Sequence, residues 1–275
     1  MKQNIILKSL ALIACLLCSL RAAAYVDSYA CYTPENTTLT FYFDNQRSSR
    51  TGTTYDLNEG DIEPYWFTDG TESSVTKVVF NSSFADARPT TTFRWFHAMG
   101  NLESITGLRY LNTSEVTNMI TMLNGCSSLT SLDLSGFNTS KVTKMIGMFY
   151  RCTNLRTIYV GSGWSTAAVT DSNDMFRSCS SLVGGQGTTY DVNHLDVSYA
   201  RIDGGPSNPG YFTDKNAAQS GDINGDGFVN VADVTELISL ILNSTSIEDS
   251  LTDVNGDGQV NVADVTALIR IILNQ

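Results

Sequence analysis

A unit of 26 to 27 residues recurs through the middle of this 275-residue chain, and it leaves few folds open. Leu102-Glu103-Ser104-Ile105, Leu129-Thr130-Ser131-Leu132 and Leu155-Arg156-Thr157-Ile158 align at spacings of 27 and 26. Val75-Thr76-Lys77-Val78 fits one unit earlier and Leu182 one unit later. Ahead of each leucine stands a second signature: Trp95-Phe96 with Met99, Met122-Leu123 with Cys126, Met148-Phe149 with Cys152, Met175-Phe176 with Cys179. Leu132 and Leu134 alternate with polar neighbours, the period of a half-buried strand. A Ser/Thr-rich turn follows, as in Asn138-Thr139-Ser140. A single unit cannot bury its own apolar face, whereas stacked units bury a continuous core. The expected fold class is α+β of the repeat-solenoid kind.

Residues 132–155, LDLSGFNTSKVTKMIGMFYRCTNL, resemble the BspA-like leucine-rich repeats of bacterial surface proteins. The resemblance spans about 75–212. It implies a leucine-rich-repeat-like array with adhesion or protein binding at the cell surface as its work. Leu182-Val183-Gly184-Gly185 abandons the strand pattern, so 183–212 reads as a C-terminal cap. Residues 25–74 hold strand-like pieces at 38–43 and 53–57 but no repeat signature, and read as an N-terminal cap. Arg109, Tyr110, Tyr150, Arg151, Arg156, Tyr159 and Arg177 are candidates for exposure at variable repeat positions, either binding residues or simply solvated ones.

The last 55 residues, 221–275, are of another kind. Two twelve-residue loops, 222–233 and 253–264, stand 31 residues apart with matching flanks. Oxygen side chains fall at positions 1, 3, 5, 9 and 12, with Gly227 and Gly258 at position 6. Hard oxygen donors at alternating positions and a glycine at the sharp turn are what a Ca²⁺ loop needs. The candidate ligands are Asp222, Asn224, Asp226, Asn230 and Asp233 in one loop, and Asp253, Asn255, Asp257, Asn261 and Asp264 in the other. Phe228 and Gln259 supply backbone carbonyls at position 7, and two ions are expected.

After each loop comes one helix-period stripe, Val234, Leu237, Ile238 and Ile241 in the first and Val265, Leu268, Ile269 and Ile272 in the second. The two stripes are expected to pack together. No amphipathic helix precedes either loop, and position 12 is Asp rather than Glu. Such loop–helix pairs resemble the type I dockerin module of bacterial secreted proteins. That resemblance implies a small all-α module docking to a cohesin-type partner. By the same resemblance Val231, Ala232, Ser239 and Leu240, with Val262, Ala263, Arg270 and Ile271, are the expected contacts. Calcium acting only as a folding element remains the alternative, in a structural or assembly subunit.

Residues 1–24 read as a signal peptide: Lys2 and Lys8, an apolar run at 10–20, then Ala22-Ala23-Ala24. Leu12-Ile13-Ala14-Cys15 is a rival lipobox that would leave a lipidated Cys15. No other segment is apolar enough to cross a membrane, so a secreted or cell-surface protein is expected, with 213–220 as linker. Loss of the leader takes the net charge from −11 to about −14, more than half of the excess lying in 220–275. A chain this acidic, with no basic stripe, is a poor nucleic-acid partner.

Cys126, Cys152 and Cys179 occupy one place in successive units and are expected as a buried column of reduced thiols. With no CxxC and two histidines, zinc is excluded. Dockerins often accompany polysaccharide-degrading enzymes, yet the acids of 75–212 sit at repeat and turn positions. His97 lies among Trp95 and Phe96, and neither it nor His194 has a nucleophile motif beside it. The expectation is a non-catalytic protein. Its repeats bind an unknown protein or host ligand, and its calcium module docks to a surface partner.

Overall fold

The computed structural model describes residues 26–215, 221–224, 229–242, 252–257 and 259–273. The expected leader, with Cys15, and most of the expected linker lie outside them. Threonine and aromatic residues crowd 27–56, and such side chains suit a pleated, half-buried surface. Three strands form there, β1 (Asp27–Thr33), β2 (Thr38–Asp44) and β3 (Thr53–Asp56), with β1 antiparallel to both others. β4 (Lys77–Phe80) and β5 (Ser104–Thr106) add in parallel to β2, giving one mixed sheet of order β3-β1-β2-β4-β5. A second sheet, all parallel, is built from β6 (Ser131–Leu134), β7 (Thr157–Val160) and β8 (Phe212–Asp214). Helices among the described residues are few: the single turn α1 (Tyr65–Thr68), then α2 (Val231–Leu242) and α3 (Val262–Leu273).

This arrangement corrects the expected fold class. A leucine-rich-repeat-like solenoid would run one strand per unit through a single sheet. Here the strands divide between two sheets, and β1, β2 and β3 of the larger one come from outside the repeats. β5 ends at Gly107, whose φ of 74° turns the chain at once into a 3-10 turn, Leu108–Tyr110. A Cβ at Gly107 would collide with the Phe80 carbonyl, so only glycine fits. At the other end the next unit does not supply the strand beside β7. β8, some thirty residues on, takes that place, with Phe212 opposite Ile158. Thr213 and Asp214 thus belong to a sheet rather than to a linker. The side chains of the N-terminal region join those of the repeats in one cluster running from Ala30 to Phe212.

The second half of each unit is turns, for a backbone reason. Arg94, Thr121, Gly147 and Asp174, at equivalent positions, all have left-handed φ between 49° and 57°. Four residues later Ala98, Gly125, Arg151 and Ser178 repeat this at 60° to 80°. No α-helix passes through two such residues. Alternate N–H groups instead point to the next unit: Arg94 to the Ile120 carbonyl (3.2 Å), Phe96 to Met122 (2.9 Å), Ala98 to Asn124 (2.7 Å). The pattern recurs one unit on, where Thr121, Leu123 and Gly125 donate to Ile146, Met148 and Tyr150 at 2.7 to 2.9 Å. The intervening amides close local turns, as Trp95 does on the Thr92 carbonyl and His97 on that of Arg94.

Stacking at this spacing aligns equivalent side chains. Leu132, Ile158 and Phe212 form one buried row. The thiols of Cys126, Cys152 and Cys179 are free and buried, and donate to the carbonyls of Phe96 (3.1 Å), Leu123 (3.1 Å) and Phe149 (2.9 Å). Burial pushes all three up, Cys179 to about 12, so they are inert small donors rather than nucleophiles. The mixed sheet packs on aromatics, Phe41 lying on Phe80 at 4.6 Å and Trp95 at 5.1 Å. Trp66 donates to the Trp95 carbonyl (2.8 Å), and the Trp95 indole donates to Asn58 (2.7 Å).

One buried carboxylate ties off the C-terminal end. Asp203 accepts from the amides of Gln186 (2.8 Å), Thr188 (2.9 Å) and Gly205 (3.0 Å) and from the Thr188 hydroxyl (2.7 Å). Burial alone would raise its pKa, but these donors outweigh burial and hold it below the ordinary carboxylate range. Its contribution is therefore complete above an unfolded carboxylate pKa of about 4 and is lost as pH falls through the lower folded value. Asp203→Ala is expected to cost about 3 kcal/mol at neutral pH, and in denaturant titrations its deficit should shrink on acidification below that value. Ala98→Gly should gain, and Gly125→Ala lose, about 1 kcal/mol in the same assay, since each changes who occupies a left-handed position.

Candidate metal centre

Each C-terminal helix begins on an asparagine whose side chain caps it. The Asn230 Oδ1 accepts from the Ala232 amide and the Asn261 Oδ1 from that of Ala263, both at 2.8 Å. Three residues on, Asp233 and Asp264 reach back to the amides of these same asparagines at 2.8 Å, a reciprocal cap. Both aspartates are fully buried. The other oxygen of Asp233 accepts from Ile223 (2.8 Å) and Asn224 (3.0 Å), and that of Asp264 from Asn255 (3.1 Å). The position-12 carboxylate therefore pins the start of its loop to the start of its helix.

The second loop shows its turn best. The Asp257 amide donates to both Asp253 Oδ1 (3.1 Å) and Asn255 Oδ1 (2.8 Å), so the side chains of positions 1, 3 and 5 converge. Asn255 also donates to Asp257 Oδ2 (3.0 Å), and Asp257 Oδ1 accepts from Gln259 (2.9 Å). In the first loop Asp222 is buried and Asn224 is exposed, while Asp226 and Phe228 lie outside the described residues. Among the described residues no three His, Cys, Asp or Glu side chains gather as a metal cluster. The donor set still fits a hard cation. It is all oxygen, Asp253, Asn255 and Asp257 already crowd one point, and Asp264 faces the same loop. Asn230 and Asn261 are turned instead to capping, a use their loop position did not announce.

The module's own core is slight. Leu237, Leu268 and Val229 are buried, with Val234, Ile241, Val265 and Ile272 half-buried against them. Gly221 belongs here because a Cβ would lie 2.7 Å from a methyl of Leu268. Among the described residues these apolar side chains are few for a segment of some fifty residues that carries a strong negative charge, and a bound cation would offset that charge. Of the expected packing stripe, Ile238 and Ile269 are corrected to the surface, since they are 41% and 42% exposed and stand outside the module core.

Of the expected partner contacts, Val231, Ala232, Ser239, Val262, Ala263 and Arg270 are exposed and Leu240 is half-buried. Ile271 is half-buried and packs on the module core. Sequence reasoning missed Leu242 and Leu273, which are 76% and 78% exposed. With Val231 and Ile238, and with Val262 and Ile269, they make two equivalent apolar stripes at spacing i, i+7, i+11, a helical period that was legible in the sequence.

The two histidines have packing partners. His97 lies 5.1 Å from the Phe67 ring, with its pKa lowered by burial and by Arg94, and His194 stacks on Tyr199 at 3.9 Å.

Asp253→Ala should lower calcium affinity by about ten-fold or more in calorimetric titration of the full chain. Asp264→Ala should in addition lower the melting temperature of the calcium-loaded chain more than Asp253→Ala does, because it also strands two amides. Equal melting temperatures for the two variants in calcium would contradict that pinning role.

Two family models match the chain. Residues 90–200 match a family described as Mycoplasma protein of unknown function, DUF285, and residues 220–273 match the type I dockerin domain. No curated protein and no solved structure matches it. Type I dockerin domains bind calcium. The segment carrying the two loops is thus similar to a calcium-binding docking domain, and the repeats to a family of unknown function.

Proposed function

We propose that this is a secreted or cell-surface, non-catalytic binding protein whose C-terminal module docks, in calcium, to a cohesin-type partner. In this reading the repeat region and its N-terminal sheet do the recognition, and the module tethers them. The pair of equivalent stripes carries the proposal. Val231 and Val262 are 70% and 69% exposed at the first turn of their helices, directly after the loops. Apolar side chains presented twice, on helices held by loops of metal-ligand type, form a surface that calcium organises and a partner covers. Among the described residues no helix is long and apolar enough to cross a membrane. The placement of both histidines against aromatic rings favours packing roles over catalytic ones.

A panel of recombinant cohesin domains tests this with the full chain. One of them should be retained in calcium and released by chelator. Val231→Asp combined with Val262→Asp should abolish retention while calcium binding persists. Retention in neither condition across the panel would leave calcium a folding role alone.

A further inference from the structure

The mixed sheet ends on β3, and beside this edge strand opens a cleft of about 350 Å³, lined among others by Arg47, Tyr55, Asp56, Tyr65 and Asp69. That volume is within the range of small-molecule sites. Asp56 also forms part of the wall of a second cavity of about 680 Å³, so the two openings adjoin.

The cleft sets charged and hydroxyl side chains beside an aromatic face. Tyr65 is 55% exposed although the next residue, Trp66, is fully buried and hydrogen-bonded, so an open ring is presented from a fixed backbone. Asp69 is held on both oxygens, by the Thr71 amide (3.0 Å) and the Tyr55 hydroxyl (2.7 Å). Arg47 is held between Asp27 (2.9 Å) and Asp56. The carboxylates already share donors, which weakens the case for a bare cation, and their number disfavours an anion. A neutral ligand with an apolar face and several hydroxyls matches what remains, and pre-fixed planar groups cost little to order on binding.

We propose that this cleft binds a neutral sugar ring of a glycan, its apolar face on Tyr65 and its hydroxyls on Asp56, Asp69 and Arg47. This rests on the recognition role proposed above and gives it a ligand class. It does not need the docking module, so it is read both in calcium and in chelator. The full chain is titrated by calorimetry and ligand-observed NMR with cellohexaose, maltohexaose, xylohexaose and a galactose-terminated biantennary N-glycan. Saturable binding is expected for at least one, unaffected by chelator. A hexasaccharide marks a polysaccharide chain as the source, and the N-glycan marks a glycoprotein. Tyr65→Ala should weaken binding by about ten-fold or more and Tyr65→Phe should keep it, both at unchanged melting temperature. Absence of binding to all four, binding that Tyr65→Ala leaves intact, or binding of spermine in their place would overturn the proposal.

Discussion

The lateral hydrogen bond from one repeat unit to the next is the constraint on which this structure depends. In the turn halves it exists because left-handed residues, two per unit, aim alternate amides at the neighbouring unit. Once that spacing is set, inward side chains must stack on their equivalents. Phe149 lies on Phe176 at 5.5 Å, nearly parallel, and the three thiols share one column. The same geometry excludes helices from the repeats and leaves their outer side to turns. It also leaves an unfinished edge at each end. The chain closes one with β8 and the Asp203 turn, and extends the other with the antiparallel strands β1, β2 and β3.

Carboxylates facing backbone amides are the second recurring device. Asp203 ties the C-terminal turns of the repeat region, and Asp233 and Asp264 tie loops to helices in the module. All three are buried and accept hydrogen bonds from backbone amides. The two regions differ in what lies beneath. The repeat region has a continuous apolar cluster from Ala30 to Phe212, whereas the module has a handful of aliphatic side chains. The first can stand on burial alone. The second combines little burial among the described residues with concentrated negative charge, which a bound cation would offset.

The repeat period, the two loops and the thiol column could be read directly from residues, because each rests on spacing along the chain. Leu132 and Leu134 alternated and are buried, whereas the reciprocal cap of Asn230 and Asp233 went unread because both stand at metal-ligand positions. The error over fold class had a local cause. A leucine at regular intervals shows that units stack, but it is silent on whether their strands share a sheet, which here is decided by Gly107 and by the distant β8. Ile238 and Ile269 were misassigned because a helix with apolar residues on two sides has two candidate faces. Only the position of the facing helix selects one.

Sequence by itself therefore determined the stacking unit and the division between an apolar-cored region and an acidic module. These follow from periodicity and side-chain chemistry, which are local. The tertiary structure decided which strands pair, which helix face is left open and which polar groups meet at the edge of β3. Those depend on contacts between residues tens of positions apart, Arg47 with Asp27 or Phe212 with Ile158, which no spacing rule along the chain encodes.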